Sequence, residues 1–108
     1  MSELKLMKIS SVSFGFGGYN DAQLGYNFAI SSVSIGVQDF WGFWSEWDSN
    51  CKWSKQDQIK YFGELSVRVS EVIKQAKVND FSQLKGKPVE VTFDGNRLKS
   101  WRILTEVI

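Results

Sequence analysis

Histidine is absent from this chain of 108 residues, and cysteine and proline occur once each. Without histidine there is no Ser-His-Asp or Cys-His arrangement, no imidazole base working near neutral pH, and no imidazole ligand for zinc. The lone Cys51 closes no disulfide within the chain and cannot by itself build a thiolate metal site or an iron–sulfur cluster. Stability must therefore come from packing, as in a reducing compartment. Lys52 beside Cys51 favours a thiolate, but no base accompanies it, and the residue reads as a small side chain next to an aromatic cluster. Long apolar runs are missing too: none approaches the roughly twenty residues that span a bilayer. The polar start Ser2-Glu3-Leu4-Lys5 lacks the apolar core of a signal peptide. The expectation is a protein that stays in the compartment where it is made, with no membrane, metal or cofactor to bind.

Charge of one sign is also lacking. Thirteen Lys and Arg against twelve Asp and Glu leave a net charge of +1, too little for a global pull on nucleic acid or anionic lipid. Local balance differs: residues 74, 77, 85, 87, 97, 99 and 102 are basic against Asp80, Glu90 and Asp94, whereas 38–57 carries Asp39, Glu46, Asp48 and Asp57 against Lys52 and Lys55. Such a bipolar surface favours self-association as readily as nucleic-acid binding.

The chain is the length of one ordinary domain, residues 1–108. Val12, Phe14 and Phe16 alternate with Ser11, Ser13 and Gly15, the period of a half-buried strand. "GGYNDAQLG", residues 17–25, is a turn with Asn20-Asp21 at its apex. Tyr26, Phe28 and Ile30 alternate on even positions, and Val33, Ile35 and Val37 on odd ones, so a bulge or tight turn is expected at Ser31-Ser32. Ser54 with Asp57 reads as an N-cap pair, and Phe62, Leu65, Val69, Val72, Ile73 and Ala76 form one apolar stripe behind it. This predicts a helix over about 54–78. Its other side carries Lys60, Glu64, Arg68 and Glu71 as a solvated ladder, with Glu64 placed to pair with Arg68. Gly63 within the helix suggests close packing there. Pro88 opens a closing hairpin: Val89, Val91 and Phe93 alternate, "DGN" at 94–96 turns, and "RLKSWRILTEVI" returns as a long strand. The whole predicts an α+β fold, an antiparallel sheet of about four to five strands packed against one long helix.

Three stretches carry candidate chemistry. "FGFGGY" has Gly15, Gly17 and Gly18, but Asn20 stands where a dinucleotide loop needs its third glycine, and no P-loop Lys-Ser/Thr follows. Glycines in or beside a strand mark a bulge or a close backbone approach. "QDFWGFWSEWDSNCKW", residues 38–53, holds four of the five tryptophans. As a strand it puts Trp41, Phe43 and Trp47 on one side and Phe40, Trp44 and Glu46 on the other; as a helix it gathers Phe40, Phe43, Trp44 and Trp47. Either way the rings exceed what one core buries, and they divide between core and contact surface. Asp39, Glu46 and Asp48 beside them are the only carboxylate route to catalysis. "RLKSWR" interleaves Arg97, Lys99 and Arg102 with Trp101, the makings of a stacking platform for single-stranded nucleic acid; the competing reading has Trp101 facing the core and the bases solvated.

"LKGKPVEVTFDGNRLKSWRILTEVI" (84–108), "SSVSFGFGGYNDAQLG" and "DFWGFW" resemble a family of small uncharacterised proteins encoded by phages and prophages. The resemblance implies an accessory protein made in an infected bacterial cytoplasm, of the sort that blocks a host or defence protein, sequesters a small signalling ligand, or serves phage DNA metabolism. The expected function is thus a non-enzymatic, homo-oligomeric binding protein. Its contact surface is Phe40, Trp41, Phe43, Trp44 and Trp47 with Tyr19 and Asn20; the alternative is a nucleic-acid binder through Arg97, Lys99, Trp101 and Arg102.

Overall fold

The computed structural model describes residues 2–17, 23–44 and 54–107, with the backbone alone at 2, 43 and 44. Five strands, β1 (Ser2–Gly17), β2 (Gln23–Ser31), β3 (Gly36–Trp44), β4 (Pro88–Asp94) and β5 (Arg97–Ile103), form one open antiparallel sheet in the order β3-β2-β1-β4-β5. The helix α1 (Lys55–Gln75) lies in the connection from β3 to β4. Three successive antiparallel strands followed by a fourth that returns beside the first make a Greek key, with β5 added at its edge.

The long β1 serves two neighbours. Residues 2–8 pair with β4, and residues 8–17 pair with β2. Ile9 lies opposite Ile30 and Ser11 opposite Ala29, so Ser10 is an extra residue, and its hydroxyl donates to the Ala29 carbonyl at 3.0 Å. This bulge changes the parity of the strand. Met7 and Ile9 before it, and Val12, Phe14 and Phe16 after it, all face the helix side. The phase break expected at Ser31-Ser32 is a tight turn: β2 ends at Ser31, and the Ser32 N–H donates to the Ile35 carbonyl at 2.9 Å.

The helix begins as its cap predicts. The Ser54 hydroxyl accepts from the Asp57 N–H, and Asp57 accepts in return from the Ser54 N–H. It ends at Gln75, short of Val78, because Lys77 takes the left-handed conformation at φ 58°. There the Lys77 N–H bonds the Lys74 carbonyl and the Val78 N–H bonds the Ile73 carbonyl, satisfying the last turn. Val69, Val72 and Ala76 are buried, and Leu65 and Ile73 half-buried, whereas Phe62 is 40% exposed because the first turns of α1 contribute nothing to the fully buried core. Gly63 corrects the expectation of close packing, since a Cβ there would meet open space.

The core holds Met7, Ile9, Phe28, Ile30, Trp41, Val89, Val91, Phe93 and Ile103 from the strands, together with the helix stripe. The "NDFSQLKGK" connection contributes more than a link: Asp80 and Gln83 cap a 3-10 turn over Phe81–Leu84 that buries Leu84 and sets Phe81 against Tyr26 and Phe28. Beyond β5 the chain forms a second 3-10 turn, Thr105–Val107, so the last strand is shorter than its sequence suggests. No helix of the described residues is long and apolar enough to cross a membrane.

Candidate functional site

Register determines what each face of the sheet offers. The face toward α1 takes Val37, Asp39 and Trp41 from β3, opposite Ile30, Phe28 and Tyr26. Trp41 is only 7% exposed: its ring packs at 4.6 Å from Phe28 and stacks at 5.6 Å and 18° on Trp101. Trp101 in turn lies 5.0 Å from Phe28. Both indole N–H groups donate to one Asp39 carboxylate oxygen, Trp41 at 2.7 Å and Trp101 at 2.8 Å. Asp39 is thereby a structural acceptor that satisfies two half-buried donors.

This bond also defines the shape of the sheet. Asp39 stands on β3 and Trp101 on β5, the two opposite edges, so the sheet curls until its edges share a carboxylate. The bulge at Ser10 and a second one in β5, where Lys99 is the extra residue between Ser100 and Leu98, supply the bend. A cleft of about 420 Å³ remains between the edges, lined by Asp39, Phe40, Leu65, Arg68, Lys99 and Trp101 among others. The Arg68 guanidinium lies 3.8 Å over the Trp41 ring. Among the described residues it forms no ion pair with Glu64; the helix turns Arg68 toward the sheet instead.

The opposite face of β1–β2–β3, turned away from the core, has an unusual makeup. Its rungs across the three strands are Ser11/Ala29/Gln38, Ser13/Asn27/Phe40, Gly15/Gly25/Gly42, and Gly17/Gln23/Trp44. One rung is therefore glycine throughout, a bare strip of backbone. The Phe40 ring leans over the β3 end of this rung and toward the next one: a Cβ on Gly42 would fall 2.2 Å from the ring and one on Gly17 3.1 Å from it, whereas one on Gly15 would meet open space. At Gly25 a Cβ would meet the Trp41 carbonyl oxygen at 2.1 Å, so this position tolerates no side chain at all. Around Phe40 a groove of about 670 Å³ is lined by Ser13, Gly15, Gly25, Asn27 and Gln38. Phe14 and Phe16 also line it, and among the described residues it offers hydroxyl and amide groups and no charged side chain.

No family model, curated protein or solved structure matches this chain. The site is therefore described by its own residues. Of the expected contact residues, Phe40 lies on the outer face in the groove, while Trp41 packs in the core and is not available as a surface anchor. Phe43 and Trp44 belong to β3, opposite Leu24 and Gln23. Tyr19, Asn20 and Trp47 lie outside the described residues, as do Glu46, Asp48 and Cys51. Of the nucleic-acid set, Trp101 faces the core, and Arg102 is held by Glu90 at 3.2 Å and by Glu106 at 2.8 Å. Those bonds raise the Arg102 pKa, with Glu106 the main cause, and hold Glu106 down to about 2, chiefly through the Arg102 guanidinium. Arg97 and Lys99 are exposed. Residues such as Asn27, Gln38, Gly25 and Arg68 carried no functional signal in the sequence. The one trace was the recurrence of glycine at 15, 25 and 42, in a strand, a turn and an aromatic stretch as read along the chain, which acquires meaning only when the register aligns them.

Proposed function

We propose that the chain is a non-enzymatic binding protein whose contact surface is the outer face of β1, β2 and β3, with Phe40 as a stacking platform for a ligand that carries planar rings. The observation that carries this is the all-glycine rung with the Phe40 ring seated over its Gly42 end. A large apolar ring on the open side of a sheet, seated on bare backbone and bordered by Ser13, Asn27 and Gln38, offers a π face with hydrogen-bonding edges around it. Small partly open Greek-key barrels of five strands bind oligonucleotides or oligosaccharides on the face of their second and third strands. The connectivity here is of that kind, although plan alone assigns no ligand. With the resemblance of residues 84–108 to phage and prophage proteins, the proposal extends to an accessory factor that captures a host or phage component in a host bacterial cytoplasm.

Amide spectra of the labelled protein, titrated with a single-stranded oligonucleotide and separately with a neutral oligosaccharide, test the reading. Shifts concentrated at Gly15, Gly25, Asn27 and Gln38, and lost in Phe40→Ala, are the expected result. Shifts elsewhere, or shifts that persist in Phe40→Ala, overturn it.

A second observation bears on self-association. Leu4 and Leu6 are 62% and 71% exposed, two positions apart on one face of β1. We propose that copies of the chain pair through them, since contiguous exposed apolar surface marks an interaction site. Light scattering reads this: Leu4→Glu/Leu6→Glu is expected to be monomeric, and a wild-type monomer rejects the pairing.

A further inference from the structure

We propose that the ligand is a single-stranded nucleic acid whose bases stack on Phe40 and whose phosphates enter the cleft between β3 and β5, where Arg68 and Lys99 receive them. This rests on the outer-face reading above and adds the chemistry of the ligand and a second set of residues. Phe40 lines both the neutral groove and the cleft, so the two form one path around the edge of β3. Among the described residues the groove suits rings and offers no charge, and the cleft adds two cations. A chain that alternates flat rings with anions fits that sequence of environments, and a neutral oligosaccharide leaves the cations unused.

The cations are poised for an anion. The Arg68 guanidinium lies 3.8 Å over the Trp41 ring, and among the described residues no hydrogen bond or ion pair engages its N–H donors, a fork that suits bidentate phosphate binding. Lys99 is the bulged residue of β5, exposed at the mouth of the cleft, and no ion pair among the described residues engages it. Among the described residues the one carboxylate lining the cleft, Asp39, is committed to the indole N–H groups of Trp41 and Trp101. The basic residues of "RLKSWR" therefore contribute through Lys99 alone, with an unexpected partner on the helix.

Fluorescence anisotropy with labelled oligothymidylate, compared with its uncharged methylphosphonate analogue, provides the test. The double variant Arg68→Gln/Lys99→Gln is expected to weaken oligothymidylate binding about tenfold at low salt and to reduce the salt slope of log K by about 1.4, the loss of two phosphate contacts on a single strand. Binding of the methylphosphonate analogue should not change. Lys99→Gln alone, at an exposed position, should give half the slope change with an unaltered melting temperature, which separates phosphate binding from any effect of Arg68 on the Trp41 stack. An unchanged slope in both variants overturns the proposal. So does capture of a neutral oligosaccharide on Phe40 with no affinity for oligothymidylate, an outcome that leaves the outer-face reading standing. Oligothymidylate binding that survives Phe40→Ala removes that reading and this one together.

Discussion

Phe40 and Trp41 are consecutive aromatic residues on one strand, yet they belong to different parts of the molecule. Trp41 is buried, with its N–H on Asp39 and its faces against Phe28, Trp101 and Arg68. Phe40 rests on glycine backbone at the rim of an open groove. The alternation of a strand separates them, and what lies opposite each determines the rest: Tyr26 and the core on one side, Asn27 and the glycine rung on the other. The lesson is that ring content by itself says little about role. Identical chemistry becomes core or contact surface according to the neighbours that register supplies.

Truncating each ring in turn should separate the two faces. Trp41→Ala should cost about 3–5 kcal/mol in urea unfolding, because it removes a packed indole from three aromatic or cationic partners. Phe40→Ala should cost no more than about 1 kcal/mol and act on ligand binding instead. Equal losses would erase the distinction between the faces. Asp39→Ala comes next, at about 2 kcal/mol, since it strands two half-buried indole N–H donors; near-ultraviolet circular dichroism should report a changed indole environment. Should the variant unfold like the wild type, the carboxylate is not what joins β3 to β5.

Smaller effects sharpen the picture away from the two rings. Gly63→Ala should stabilise the protein by about 1 kcal/mol, because helix propensity rises and the added methyl meets nothing. A loss would mean that this side of α1 is covered. Glu106→Gln should act only through pH. Arg102 holds the Glu106 pKa at about 2, below its ordinary 4.5, so its contribution is fully present above about 4.5 and disappears as pH falls through 2. The variant should lose that part of the acid dependence in melting curves between those limits and show little change at neutral pH.

Much of the architecture was legible without coordinates. The Ser54/Asp57 cap, the stripe through Val69, Val72 and Ala76, the Val89/Val91/Phe93 alternation and the turn after Ser31 are local patterns, governed by backbone hydrogen bonding and side-chain period, and each is found where the pattern put it. Phe81 and Leu84 were not visible as core because a short polar turn has no period to read. The candidate site was legible only in part. Phe40 was among the rings named for contact, but Trp41 beside it belongs to the core, and Arg68, read as one member of a solvated ladder, lies on an indole.

What the sequence determined by itself is therefore the set of elements and the chemistries excluded: without histidine or a second cysteine, no arrangement of this chain supplies an imidazole base or its own disulfide. Tertiary structure decided which elements meet. A single extra residue at Ser10 changes the face of half a strand, and a single carboxylate at Asp39 ties β3 to β5 across 62 positions of sequence. The glycines of "FGFGG", "QLGYN" and "FWGFW" are turn or bulge signals when read along the chain. They become one bare rung beside Phe40 only because strand register, a non-local property, brings Gly15, Gly25 and Gly42 into line.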